Sequence, residues 1–485
     1  MKKITLGILL TIFLFIISAC GGSATPDSDM PSAANNNDTP EAAESATEAR
    51  AKAVPDVPDI TFDGYEIKML VRGVESSDVW QVLWNIYTEE ENGEPLNDAL
   101  YLRNRIIEDK YNIKITGVGS DMEPGKVSKL ILSGTNEYDV VIPGLFQFGS
   151  LVTRNLLVDL KEVPYLDLEK PWWDQNISKD LSINNKIYGA MGDICISTMN
   201  AARIIMFNKP LLADYALENP YTLVRGGEWT LDKFNEMCRQ VTQDINGDGI
   251  MDENDLYGFL VQKTATINLF FAGGENMTQK DASDIPYISI AGNERAVSVY
   301  TKMLDILNSK DSVYVGADGT VRTMFEEGRG LFYAEVLLTV GSMRALDMNF
   351  GVLPTPKYDK NQENYYHFAD AWCMSLLGIP TTNDNLERTG IIIEALAAES
   401  ANTIVPAYYD NNLIGKFFRD EESIEMLDLI INTRVVSMDE TFDWGMHSKI
   451  RGLLDNFSYD IASTVESATN SVQKKIDSTI EKIES

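Results

Sequence analysis

The stretch Lys186–Lys209, KIYGAMGDICISTMNAARIIMFNK, limits the fold more than any other part of the chain. Tyr188–Met191 is a short apolar run that stops beside Gly192. Ile204–Phe207 is a second run, β-branched and aromatic as strands prefer. Proline cannot donate to a ladder, so Asn208-Lys209-Pro210 ends it. Between the runs lie Asp193, Ser197 and Thr198. Two buried strands with a polar joint suit a passage of the chain from one lobe to another. At 485 residues the chain exceeds the usual size of a single core, so two lobes are expected.

Upstream, strand-like Tyr65–Val71, helical Asn97–Tyr111, alternating Asn112–Val118, helical Lys126–Ser133 and the buried run Asp139–Ile142 follow one another. Asn97 is placed to cap its helix. Such alternation is the pattern of an open α/β sheet, whose ligand sites lie beyond the carboxyl ends of its strands. That directs attention to the segment Gly144-Leu-Phe-Gln-Phe-Gly149, read as a loop, with Phe146 and Gln147 in it.

The chain opens MKKITLGILLTIFLFIISAC, a basic start and an apolar run too short to span a membrane, as in a secretory signal (residues 1–19). Residues 21–58 hold no aromatic side chain and are rich in Ala, Ser, Asn, Asp and Glu. They cannot bury enough apolar area to offset ordering, and are expected to form a disordered tether reaching ~35 Å. The formal net charge of −32 disfavours nucleic acid and anionic membrane as partners. Cys195, Cys238 and Cys373 show neither metal nor redox spacing and are expected to be buried.

Asp244–Asp255, DINGDGIMDEND, has the spacing of a calcium loop. Asp244, Asn246, Asp248, the Ile250 carbonyl, Asp252 and Asp255 occupy its ligand positions, and Gly249 its sharp turn. A structural calcium ion is expected there, with Glu253 pointing to solvent. An acidic turn without metal is the alternative. Ile461, Val465, Ala468, Val472, Ile476 and Ile480 form one stripe of a closing helix, for packing on the second lobe or against a coiled-coil partner.

Several segments resemble the type 1 extracellular solute-binding proteins, the binding subunits of ABC importers, of which maltose-binding protein is one kind. They are the Lys186–Lys209 crossover, Pro171-Trp172-Trp173, Glu228–Phe234, the glycine-rich Phe270–Gly274, Phe325–Tyr333 and Phe350–Lys357. In the crossover, Met191-Gly192 replaces the family's residue-proline pair. Ile17–Cys20 is similar to a bacterial lipobox, which implies lipidation of Cys20.

The resemblance implies an α/β, two-lobed periplasmic-binding-protein-like fold of type II, each lobe a sheet flanked by helices, with a hinge between. Lobe 1 would comprise residues 59–195 and 371–418, lobe 2 residues 196–370 and the C-terminal helices 419–485, after a signal peptide (1–19) and tether (20–58). It further implies a monomer held by lipid at the outer face of the bacterial cytoplasmic membrane. There it would capture a carbohydrate, expected to be an oligosaccharide, for delivery to the transmembrane subunits of a permease.

Sugars present apolar C–H faces and many hydroxyls, so their sites combine aromatic plates with planar polar groups. Candidates at the expected sheet ends and crossovers are Phe146, Gln147, Trp173, Asp193, Glu335, Arg344, Asp370, Trp372 and Trp444. No catalytic residue is assigned. The competing reading is a lipid-anchored polysaccharide-degrading enzyme, which needs only two well-placed carboxylates among 73 acidic residues.

Overall fold

The computed structural model describes residues 52–73, 82–122, 124–196, 201–343, 348–409 and 421–484. The signal segment, Cys20, most of the tether and Arg344 lie outside the described residues. Order begins earlier than the composition suggested. Ala53 exchanges both backbone hydrogen bonds with the Asn402 side chain, at 2.9 and 3.0 Å, and Ala53 and Val57 pack on the core.

Two sheets organise the chain. The first has three parallel strands, β1 (Tyr65–Arg72), β2 (Ile113–Ser120) and β3 (Val140–Ile142), in the order β2-β1-β3. Helix 95–111 joins β1 to β2 and helix 124–132 joins β2 to β3, the crossover expected of parallel neighbours. The second sheet has five strands, β4 (Arg203–Asn208), β5 (Tyr257–Gln262), β6 (Val313–Gly316), β7 (Gly330–Val336) and β8 (Phe350–Leu353), in the order β8-β4-β7-β5-β6. β4 runs antiparallel to both its neighbours, while β5 is parallel to β6 and β7.

The second sheet is covered on both faces, and the period of two sorts its side chains. Ile205 and Phe207 join the core that also holds Trp229, Phe234 and Phe259. Ile204 and Met206 turn the other way, to Tyr333, Phe325, Leu427 and Ile430. Helix 231–241 starts at Thr230, whose hydroxyl accepts from Lys233 N.

Local chemistry departs from the sequence expectation in three places. Helix 95–111 is entered at Glu94 with Pro95 in its first turn, so Asn97 lies inside it and does not cap it. The expected loop at Gly144–Gly149 is the start of helix 145–152, because Gln147 Oε1 accepts from Gly144 N at 3.1 Å and closes the N-terminus. Tyr188–Met191 forms no strand. Only Ala190 is bridged, to Leu377.

The chain passes between the sheets at adjacent places. Ala190 is bridged to Leu377 beside the first sheet, and Ala202 to Ala369 at the entry to β4. The return runs from Ala369 to Ser375 and Gly378, which bridge to Gly144 and Val141 at β3. Gly192 lies so close to the Trp172 carbonyl that a Cβ there would meet the oxygen at 2.1 Å, which accounts for glycine in the crossover.

Helix 386–402 packs on helix 95–111, as expected of a return to the first lobe. Helix 421–432 then packs on β8. The C-terminal part is less simply divided than expected, for helix 438–441 lies against helix 145–152 of the first lobe. The apolar stripe of helix 461–484 is buried within the chain, against helices 446–455 and 294–307 and strand 286–288.

Candidate functional site

The carboxyl ends of β1 and β3 and the return crossing meet at one aromatic pair. β3 ends at Ile142, and helix 145–152 begins almost at once, placing Phe146 at the sheet end with 37% of its surface exposed. Trp372 lies on the crossing and is 54% exposed. The two rings stack with centroids 4.6 Å apart and an interplanar angle of 21°. Stacked together, the two rings form a contiguous exposed aromatic surface, which makes this place a candidate site.

The Trp372 peptide is held at both ends. Its N–H donates to Asp370 Oδ1 at 2.9 Å, and its carbonyl accepts from Arg72 Nη1 at 2.6 Å. Arg72 is the last residue of β1, and its guanidinium carbon sits 5.4 Å from the centroids of both Phe146 and Trp372. The second Asp370 oxygen accepts from Nη2 of Arg203, the first residue of β4, at 2.7 Å. Backbone and charge thus fix the plate, leaving the indole face to solvent.

Around this pair the carboxyls are not alike. Burial works to raise the Asp370 carboxyl, but the Arg203 charge and hydrogen bond outweigh it and hold it below the ordinary value. Glu335, paired across the ladder with Ile204, is pushed up by burial and accepts from the Tyr333 hydroxyl and from Val336 N. Glu440 accepts from Ala371 N at 3.2 Å and is pushed up to about 8, first by burial and then by the Asp370 charge. His447, with Nδ1 3.8 Å from Glu440 Oε2, is pushed down to about 4 by burial.

Among the sequence candidates, the structure brings together Phe146, Asp370 and Trp372, with Glu335 close by charge to Arg203. Asp193 is half-buried on the first crossing, its N–H bonded to the Trp172 carbonyl. Three candidates have structural roles instead. Trp173 is 2% exposed and shares Glu394 with Trp172, the two indole N–H groups donating at 2.9 and 3.0 Å. Trp444 is 1% exposed and donates to Thr479. Gln147 closes its helix and donates to the Asp121 carbonyl, so both ends of its amide are used. The sequence reading missed Arg72, Arg203 and Glu440. An arginine closing one apolar strand and another opening the next were the available signals for the first two.

The Asp244–Asp255 loop stands apart from this surface. Its ends are joined by mutual 3.0 Å backbone bonds between Gln243 and Leu256. Gly247 and Gly249 take left-handed φ values of +74° and +80°. Asp244 accepts from Gly247 and Gly249, Asn246 from Asp248, Asp248 from Ile250, and Asp252 from Asn254. Buried Asp255 accepts from Ile245 and Asp252, and Glu253 is exposed. The hard oxygen donors suit calcium in kind. Among the described residues, however, no three His, Cys, Asp or Glu side chains converge as a ligand group. Cys195, Cys238 and Cys373 are buried and form no disulfide among the described residues, and no described helix is long and apolar enough to cross a membrane.

Comparison with known proteins agrees with this architecture. Residues 103–371 match the family profile described as bacterial extracellular solute-binding protein. A comparison with curated protein sequences finds no match. The fold is similar to that of a cyclo/maltodextrin-binding protein complexed with maltotetraose, with 14% identity and a TM-score of 0.55 over 87% of this chain and 97% of that one. It is similar to the ABC substrate-binding protein Lmo0181 from Listeria monocytogenes in complex with cycloalternan, with 11% identity and a TM-score of 0.54 over 86% of this chain and 100% of that one. Apo RafE from Streptococcus pneumoniae gives 14% identity and 0.54 over 86% and 99%. These likenesses show the two-lobed periplasmic-binding-protein fold, and the family match over more than half of the sequence shows that the chain belongs to the bacterial extracellular solute-binding proteins.

Proposed function

We propose that this protein is the lipid-anchored binding subunit of an ABC importer, taking up an oligosaccharide at the Phe146–Trp372 surface and delivering it to a permease without chemical change. The observation that carries the reading is the stacked, exposed aromatic pair at the return crossing, with Asp370 and Arg72 fixing its peptide. Aromatic faces take sugar C–H surfaces, and the charged groups beside them orient hydroxyls. Two proteins of similar fold were solved with oligosaccharides bound. The Cys20 lipid and the tether would hold the chain at the outer face of the cytoplasmic membrane as a monomer.

We further propose that calcium binds the Asp244–Asp255 loop and draws its carboxylates together. Asp244, Asn246, Asp248, the Ile250 carbonyl, Asp252 and Asp255 would hold the ion, which would serve stability only.

A thermal-shift screen with maltotetraose, cycloalternan, raffinose and monosaccharides tests the transport reading. A ligand at a hundred times its Kd adds about 2.7 kcal/mol, enough to raise the melting temperature visibly. One or more oligosaccharides should do so and be recovered uncleaved. Absence of any shift, or release of reducing ends, refutes the reading.

A further inference from the structure

Arg203 opens β4 between the two crossings, and its side chain is used in an unusual way. The residue is 5% exposed, yet among the described residues only one guanidinium nitrogen has an acceptor, Nη2 on Asp370 Oδ2 at 2.7 Å. Nε and Nη1 are buried with no acceptor among the described residues. Buried donors without acceptors are costly, and most folded chains avoid them. The neighbouring acceptors are engaged elsewhere. Glu335 takes the Tyr333 hydroxyl and Val336 N, Glu440 takes Ala371 N, and the Trp372 carbonyl takes Arg72. Through Asp370, whose other oxygen holds Trp372 N, Arg203 is tied directly to the aromatic plate.

We propose that Arg203 is a ligand-recognising residue whose Nε and Nη1 donate to separate hydroxyl oxygens of the bound carbohydrate, with Asp370 accepting from one of those hydroxyls. This rests on the carbohydrate reading above and adds to it the group that selects the sugar. A hydroxyl both accepts and donates, and the Arg203–Asp370 pair offers both functions side by side. A ligand carboxylate would meet the ionised Asp370, which already balances the guanidinium charge. The two donors are covered in this conformation. Both partners stand where the chain passes between the sheets, so a parting of the lobes there opens the route to them.

The test is isothermal titration of wild type and Arg203→Lys with maltotetraose, cycloalternan and digalacturonate. Lysine keeps the charge beside Asp370 and removes the guanidinium's separate donors. A neutral glycan should bind wild type, and bind Arg203→Lys at least about tenfold more weakly at a melting temperature within a few degrees of wild type. Equal binding to both overturns the inference and leaves the carbohydrate reading standing. Binding of digalacturonate alone overturns the choice of a hydroxyl. No binding of any of the three overturns the inference together with its carbohydrate premise for these glycans. Should Arg203→Lys not fold, the wild-type crystal structure with glycan decides. A ligand hydroxyl within ~3.2 Å of Nε or Nη1 supports the inference, and a water or protein atom there refutes it.

Discussion

Replacing Trp372 by alanine should damage binding far more than folding. The side chain is 54% exposed, and its ring meets Phe146 at 4.6 Å and the Arg72 guanidinium at 5.4 Å. Losing the stack costs about 0.5–1.5 kcal/mol of stability and the cation–π contact about 0.5–1 kcal/mol more. The bonds that hold the crossing in place use the Trp372 backbone, to Asp370 and from Arg72, and survive the change. A ligand resting on the indole face loses both the contact and the apolar area it covers, about 1–3 kcal/mol, or roughly 5- to 150-fold in Kd.

Trp173→Ala supplies the contrast. Trp173 is 2% exposed and donates to Glu394, so its removal opens a cavity of the kind that costs about 3–5 kcal/mol and takes a donor from a buried carboxylate. Calorimetric titration with a glycan identified by the screen, beside thermal melts of both variants, reads the difference. Trp372→Ala should bind weakly and melt nearly as wild type, and Trp173→Ala should melt much lower while its folded fraction binds normally. If Trp372→Ala binds like wild type, or melts as low as Trp173→Ala, the indole is a packing residue and the placement of the site is wrong.

Two further outcomes follow from the charged groups. Chelation should lower the melting temperature of the wild type, and Asp248→Ala should abolish that effect. An unchanged wild-type melt with no metal by elemental analysis would reduce the Asp244–Asp255 loop to an acidic turn. Glu440 is raised from 4.5 to about 8, so the folded chain holds its proton more tightly than the unfolded chain does. Its contribution to stability is therefore full below pH ~4.5 and is lost as pH rises through about 8. Glu440→Gln keeps an acceptor for Ala371 N and cannot ionise. The melting-temperature difference between variant and wild type should move in favour of the variant from pH ~5 to ~9, and a constant difference refutes the assignment.

Much of the fold was legible because residue type and period act locally. The β-branched and aromatic run Ile204–Phe207 states a buried strand and the stripe from Ile461 to Ile476 a buried helix face, and the structure buries both. Gly144–Gly149 was misread as a loop because its glycines and aromatics hide a cap made by Gln147, three residues into the helix. The site was legible only in part. Phe146, Asp370 and Trp372 sit at a sheet end and a crossing, places that topology marks. The tryptophans Trp173, Trp372 and Trp444 differ chiefly in burial, and burial depends on what packs over them from distant parts of the chain, Glu394 for one and Thr479 for another. Arg203 could be weighed only once its unpartnered nitrogens and its bond to Asp370 were visible.

Two lobes should close on a solute at the crossings beside Trp372. Small-angle scattering, with and without a saturating concentration of a glycan shown to bind by calorimetry, tests this closure most directly. The radius of gyration should be smaller in the complex than in the free protein. An unchanged radius at full saturation would contradict closure.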